Sequence, residues 1–201
     1  MRHPLFLFIF FIGSCSSDNK KNNHIPVDPI NRLEINQLTQ KVINGFRIQD
    51  SSAVNKFIFN AALTKGLIRN TYFSTISKLP QNIDLKLLKE WEIKTENYED
   101  KKSKKLNDSS LKMSLDIVPI ATQNYLAVYS IASTFKDIRY LIYVYYVKDV
   151  DVWKMASIRV GYYEYKGKNA YDYFCLSRDS SRTTLESYLL MQISRYCANI
   201  V

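Results

Sequence analysis

Glycine is scarce in this chain, with five among 201 residues, and its two histidines fall at positions 3 and 24. So few glycines argue against the nucleotide-binding folds that rest on glycine-rich turns. Histidine is the side chain best suited to proton transfer near neutral pH and the commonest metal ligand. Its absence beyond residue 24 removes Ser-His-Asp and Cys-His sites and ordinary zinc hydrolase sites from any folded part. Cysteine is also sparse, with Cys15, Cys175 and Cys197 too far apart for a Cys-x-x-Cys redox pair. The amino-terminal apolar run, Leu5 to Ile12, has eight residues where a spanning helix needs roughly 20. What is present is 46% hydrophobic and 13% aromatic residues, and a formal charge of 28 − 19 = +9. That composition fits one globular domain and excludes a disordered chain, a collagen and a polytopic membrane protein.

The first residues read as an export address. A basic start, the run LFLFIFFI and the small residues Gly13 and Ser14 have the make-up of a secretory signal over 1–14. The tetrad Ile12-Gly13-Ser14-Cys15 resembles the bacterial lipobox, an aliphatic residue and two small ones before a cysteine. The resemblance implies cleavage before Cys15, diacylglycerol on its thiol and acylation of the new amino terminus. One buried acyl chain anchors only marginally, so several chains on one residue make a durable attachment. The alternative is a plain signal cut near Ser14 or Ser17. Residues 15–29, with the polar stretch SSDNKKNNHIPVDP after the cysteine, read as a tether, and 30–201 as a single domain. Ser16 is not the aspartate that retains lipoproteins in the inner membrane. By that analogy the expected location is the outer membrane of a Gram-negative envelope.

The mature chain opens with helical spacing. Ile35, Leu38, Val42 and Phe46 recur on one stripe, with Gly45 just before the expected end. A second amphipathic stretch carries Val54, Phe57, Ile58, Ala61 and Ala62, capped by Ser51-Ser52 and followed by Gly66. Residues 80–93 fit helix or strand, and 96–110 are charged enough to read as an exposed loop. From Leu111 the period becomes two, with Leu111, Met113, Leu115 and Ile117 alternating with polar residues until Pro119. Segments 125–134 and 139–148 are aromatic and β-branched on both faces, as central strands are. A turn at Lys148-Asp149-Val150-Asp151 leads into a strand from Val152. A last helix, beginning at Ser181 to Glu186, has Leu185, Tyr188, Leu189, Ile193, Tyr196 and Cys197 on one stripe, expected to face the sheet. The fold class is α+β: N-terminal helices, a curved antiparallel sheet of about four to five strands, and a C-terminal helix on the sheet.

The opening helices and the hairpin Leu141 to Arg159, with its polar turn and Trp153-Lys154, loosely resemble the nuclear-transport-factor-two-like, or SnoaL-like, cone fold. The terminal helix departs from that family's core, which usually ends in a strand. Enzymes of this kind include isomerases that pair an Asp with a Tyr in an apolar pocket, where burial tunes the acid and the phenol stabilises an enolate. Asp116 is the carboxylate on a strand that such a role would use, although its alternation places it on the polar face.

Other constellations fail on spacing. The stretch GYYEYKGKN at 161–169 has five residues between its glycines where a phosphate-binding loop needs four, and Asn169 replaces the hydroxyl residue. Asp149 and Asp151 open like a calcium loop, but Trp153 stands where the third oxygen belongs. No metal and no cofactor are expected. Tyr129, Tyr143, Tyr145 and Trp153 could line a curved sheet and hold an apolar or sugar-like ligand, or they could be ordinary strand aromatics. Having both faces of 139–148 apolar demands helices on one side and a second layer, cavity or partner on the other. With Cys15 lipidated, Cys175 and Cys197 could close a bridge of about 3 kcal/mol in an oxidising compartment, or remain thiols. The lysine run 101–105 could meet lipid phosphates, or be a solvated loop. Nucleic acid is no expected partner, because an exported protein seldom meets it. The expected function is that of a non-enzymatic envelope lipoprotein binding a small ligand or a partner protein. The alternatives are a cone-fold isomerase or hydratase and a periplasmic immunity or inhibitor lipoprotein.

Overall fold

The computed structural model describes residues 27–48, 50–59, 85–96, 99, 102–111, 113–132 and 137–198. The signal, Cys15, most of the tether, Ala61, Ala62 and Gly66 lie outside them. Helix α1 (Pro29–Arg47) starts where Asp28 accepts a hydrogen bond from the Ile30 amide and Pro29 fills the first turn, so the end of the expected tether already belongs to the domain. Its buried stripe contains the expected Ile35, Leu38, Val42 and Phe46, joined by Asn31, Thr39 and Ile43. Helix α2 (Ser51–Asn55) is one turn long, with Asp50 as its cap. The second amphipathic stretch therefore does not continue as a helix to Phe57 and Ile58. Instead the chain extends, and backbone bonds join Phe57 O to Met155 N and Phe59 N to Met155 O.

Five strands form one curled antiparallel sheet, a half-barrel, in the order β1 (Leu85–Lys94), β4 (Gln123–Ala132), β5 (Ile138–Asp149), β6 (Val152–Tyr165) and β7 (Lys168–Asn169). The ambiguous stretch 80–93 is strand from Leu85 on, and 80–84 lie outside the described residues. A separate hairpin pairs β2 (Lys104–Asp108) with β3 (Met113–Ile117). This corrects the exposed loop expected over 96–110: its second half is a strand, with Leu106 half-buried and Asp108 buried.

Alternation along the strands sorts the apolar residues into two clusters. Tyr125, Ala127, Tyr129, Ile142, Val144, Tyr146, Trp153 and Met155 pack with Ile35, Val42 and Phe46 of α1 and with Val54 of α2. On the opposite face, Leu126, Val128, Leu141, Tyr143, Tyr145 and Val147 pack with Trp91 and Ile93 of β1 and with Leu115 and Ile117 of β3. The second layer demanded by the two apolar faces is the β2–β3 hairpin.

Helix α3 (Ala170–Ser177) opens with a reciprocal cap between Asn169 and Asp172, and α4 (Thr184–Ala198) with one between Thr183 and Glu186. The C-terminal helix packs on the sheet against β6. The first half of the expected stripe faces outward, while Ile193 in its second half is half-buried. Leu185, Tyr188 and Leu189 are exposed, while Ser194 is buried with its hydroxyl on the Ala170 carbonyl. The side chains of Tyr196 and Cys197 lie outside the described residues.

Candidate functional site

The hairpin does not close fully over the sheet. Between β3 and the strands β4 to β6 it leaves a cleft of about 40 Å³, lined by Leu115, Ile117, Leu126, Tyr143 and Tyr145 and bordered by Asp116, Ser157 and Arg159, with a wall that is almost wholly apolar. A water needs about 10–15 Å³ of such space and drug-sized ligands roughly 300–1,000 Å³. As it stands the cleft suits a few waters or one small group. Burial pushes the Tyr143 phenol well above its ordinary range, with the Tyr163 phenol adding to the effect, and burial raises Tyr145 too. Both phenols therefore stay protonated and act as donors rather than bases. Tyr145 gives its proton to Asn124 Oδ1 at 2.7 Å, a buried amide that also receives the amides of Ile120 and Ala121.

The hairpin is fixed to the sheet by polar contacts at its two ends. Lys89 on β1 reaches Asp108 at 2.9 Å, and Lys104 donates to the Lys94 carbonyl at 2.7 Å. Asp108 also takes hydrogen bonds from Ser110 and from the Leu111 amide. Burial raises its pKa, but these donors outweigh it and hold the carboxyl below its ordinary value.

A second polar group lies on the other face, under α1. Glu92 is fully buried in its side chain and accepts from the Asp28 amide and Asn31 Nδ2, both at 3.2 Å, with Lys94 Nζ also at 3.2 Å. Neighbouring Glu90 takes the Tyr125 phenol and pairs with Arg32. Deeper in, Thr39 Oγ1 lies 2.6 Å from the Tyr146 phenol and 3.1 Å from that of Tyr129, which donates to Asn36. Burial pushes Tyr129 up to about 12, despite the Thr39 contact that lowers it. Every carboxylate here is tied to a cation or to amides, and the group seats α1 on the sheet.

The four aromatic candidates are therefore divided. Tyr143 and Tyr145 line the cleft, while Tyr129 and Trp153 belong to the α1 face, Trp153 donating to Asn31 Oδ1 at 3.3 Å. They form no common pocket, because strand alternation puts Tyr143 and Tyr145 on one face of the sheet and Tyr129 and Trp153 on the other. Asp116 departs from its expected exposure: it is half-buried and lines the cleft. Among the described residues no group of three His, Cys, Asp or Glu is placed to hold a metal, and no helix is long and apolar enough to cross a membrane. Cys175 is an exposed free thiol on α3. Asp149 ends β5 and Asp151 lies in the hairpin turn that follows it.

The sequence reading missed the outer face of the C-terminal helices. Tyr171 and Phe174 on α3, and Leu185, Tyr188 and Leu189 on α4, are all exposed, Leu185 by 66% and Tyr188 by 59%. Spacings of three and four put each set on one stripe of its helix. The periodicity was legible, but the side on which it would be buried was not. Comparisons with protein-family models, with curated proteins and with solved structures find no match for this chain.

Proposed function

We propose that this protein is a cell-envelope lipoprotein, anchored through acyl chains on Cys15 in the outer membrane of a Gram-negative bacterium, whose α+β domain binds a partner protein without turnover. The observation that carries the binding reading is the exposed apolar face of the α3–α4 pair, where five large aromatic or aliphatic side chains stand in water. Scattered apolar residues on a surface are ordinary, but an exposed apolar stripe on each of two packed helices is a form an interaction face takes. The lipobox resemblance supports the location. A photoreactive phenylalanine analogue at Tyr188 or Tyr171, in intact cells, is expected to give a discrete protein adduct that the same analogue at Lys86 on β1 does not. Equal adducts at all three positions, or none, would overturn the reading.

A second reading, acid–base chemistry on a small ligand, would use Asp116, which borders the cleft, but the cleft wall is almost wholly apolar and the Tyr145 hydroxyl is already donated to Asn124. It ranks below the first because about 40 Å³ admits little besides water. Turnover of a defined substrate, abolished by Asp116→Asn, would put it first.

A further inference from the structure

We propose that the β5–β6 turn is a membrane-contacting tip that seats the domain on the bilayer to which Cys15 ties it, an inference that rests on the lipoprotein reading above. The turn has two central residues, Val150 and Asp151, both with left-handed backbone, φ 46° and 65°. Such tight turns favour Asn-Gly or Asp-Gly, and a β-branched residue at positive φ is strained. Here the strained position holds a valine that is 90% exposed, followed by Val152 at 55%. Local backbone physics and solvation both disfavour that choice, which points to a surface outside the chain that takes up the apolar tip.

Sheet register shows which end of the domain this is. Lys94 pairs with Gln123, Asn124 with Val147 and Lys148 with Trp153, so Lys94, Gln123 and Lys148 border the same end as the turn. The start of α1 sits there too, held by the Glu92 contacts to Asp28 and Asn31 and by the Trp153 bond to Asn31. Exposed Ile30 and Leu33 occupy the first turns of that helix. The chain therefore enters the described structure at the end that carries Val150. From Cys15 to Val27 is 27 − 15 = 12 residues, a reach of at most about 40 Å. An acylated Cys15 would keep this end within that distance of the headgroups. Lys94, Lys104, Lys148 and Lys154 also rim the end, with Lys94 paired to Glu92 and with Asp149, Asp151 and Glu96 beside them, so the rim is mixed in sign and the apolar tip carries the contact. Lysines one row behind an apolar tip can reach lipid phosphates while the valines enter the acyl boundary.

The test uses full-length lipidated protein in vesicles of phosphatidylethanolamine and phosphatidylglycerol that contain a diazirine-bearing acyl lipid. After illumination, adducts are expected on the tryptic peptide 149–154. Val150→Asn with Val152→Ser is expected to remain vesicle-bound through its acyl chains yet lose those adducts. Asn tolerates the left-handed turn, so thermal stability should hold or rise and misfolding cannot account for the loss. An anchored protein with no adducts on that peptide, adducts that survive the double substitution, or adducts to a protein alone would overturn the proposal. Failure to float with the vesicles is a separate readout, and it would overturn the anchor itself.

Discussion

Thr39 sits at the centre of the contact between α1 and the sheet, and its hydroxyl is used twice. It donates to the Ile35 carbonyl at 2.7 Å, so the fully buried Tyr146 phenol, 2.6 Å away, is the donor in the contact between them. Burial and the neighbouring tyrosines keep that phenol protonated, although the Thr39 contact works the other way. Thr39→Val keeps the shape and leaves the phenol with no acceptor, which costs about 1–3 kcal/mol. Tyr146→Phe removes the orphaned hydroxyl, so the double variant is expected to be more stable than Thr39→Val alone, and chemical denaturation of the three variants measures it. A double variant no better than the single one would mean that Tyr146 finds another partner. Glycine at position 45 teaches a related lesson. In sequence it marks the approach of the helix end, which comes at Arg47, but the structure gives it a second reason: a Cβ at Gly45 would lie 2.5 Å from Val54 Cγ2. Its role is to let α2 approach.

Among the elements, the β2–β3 hairpin is the layer most open to control by pH. It has no backbone pairing with the main sheet, so the Lys89–Asp108 contact and the burial of Leu115 and Ile117 hold it down. Asp108 has a folded pKa below its unfolded value of about 3.9. Its contribution is therefore complete above the unfolded pKa and is lost as pH falls through the depressed folded value. Hydrogen exchange across 104–117 should rise in that acid range before exchange in β4 and β5 does. Asp108→Asn should show the faster exchange already at neutral pH and lose the pH dependence; an unchanged wild-type profile through the acid range would refute the lock. This element was also the least legible in sequence. Lys104 to Asp108 offers one half-buried leucine and one buried aspartate, too little apolar alternation to signal a strand, and the pairing with β3 is a matter of backbone and context. The strands β4, β5 and β6 were legible because aromatic and β-branched residues fill both faces. Which layer each face joins was not: alternation runs unbroken along β5, and the extra residue opposite Tyr145 and Tyr146 is Ala156 on β6, where the faces exchange between Met155 and Ile158. The same limit explains the last helix: its apolar period was visible, but packing through Ser194 turns the first half of that stripe outward.

At the scale of the whole molecule, the two ends of the sheet have different surfaces. One end carries the start of α1, the lysine rim and the Val150 tip, while β6 runs from that end to the helices α3 and α4. A chain tied at its amino terminus and seated on its tip would leave the C-terminal helices free to meet a partner away from the bilayer. That division of labour depends on Cys15, which neither the packing nor the charge of the domain can replace: without Arg2 of the signal the net charge is 27 − 19 = +8, screened beyond about 8 Å at physiological salt, whereas acyl chains hold by apolar burial. Cells fed an alkyne fatty acid should therefore label the wild-type protein, and Cys15→Ala should be unlabelled and no longer sediment with membranes at any ionic strength. The domain itself should keep its thermal transition, because the substitution lies outside the packed residues. An unlabelled wild type, or a labelled Cys15→Ala, would remove the anchor. Membrane attachment that survives Cys15→Ala but dissolves in high salt would instead assign the holding force to the lysine rim, leaving the tip as the sole apolar contact.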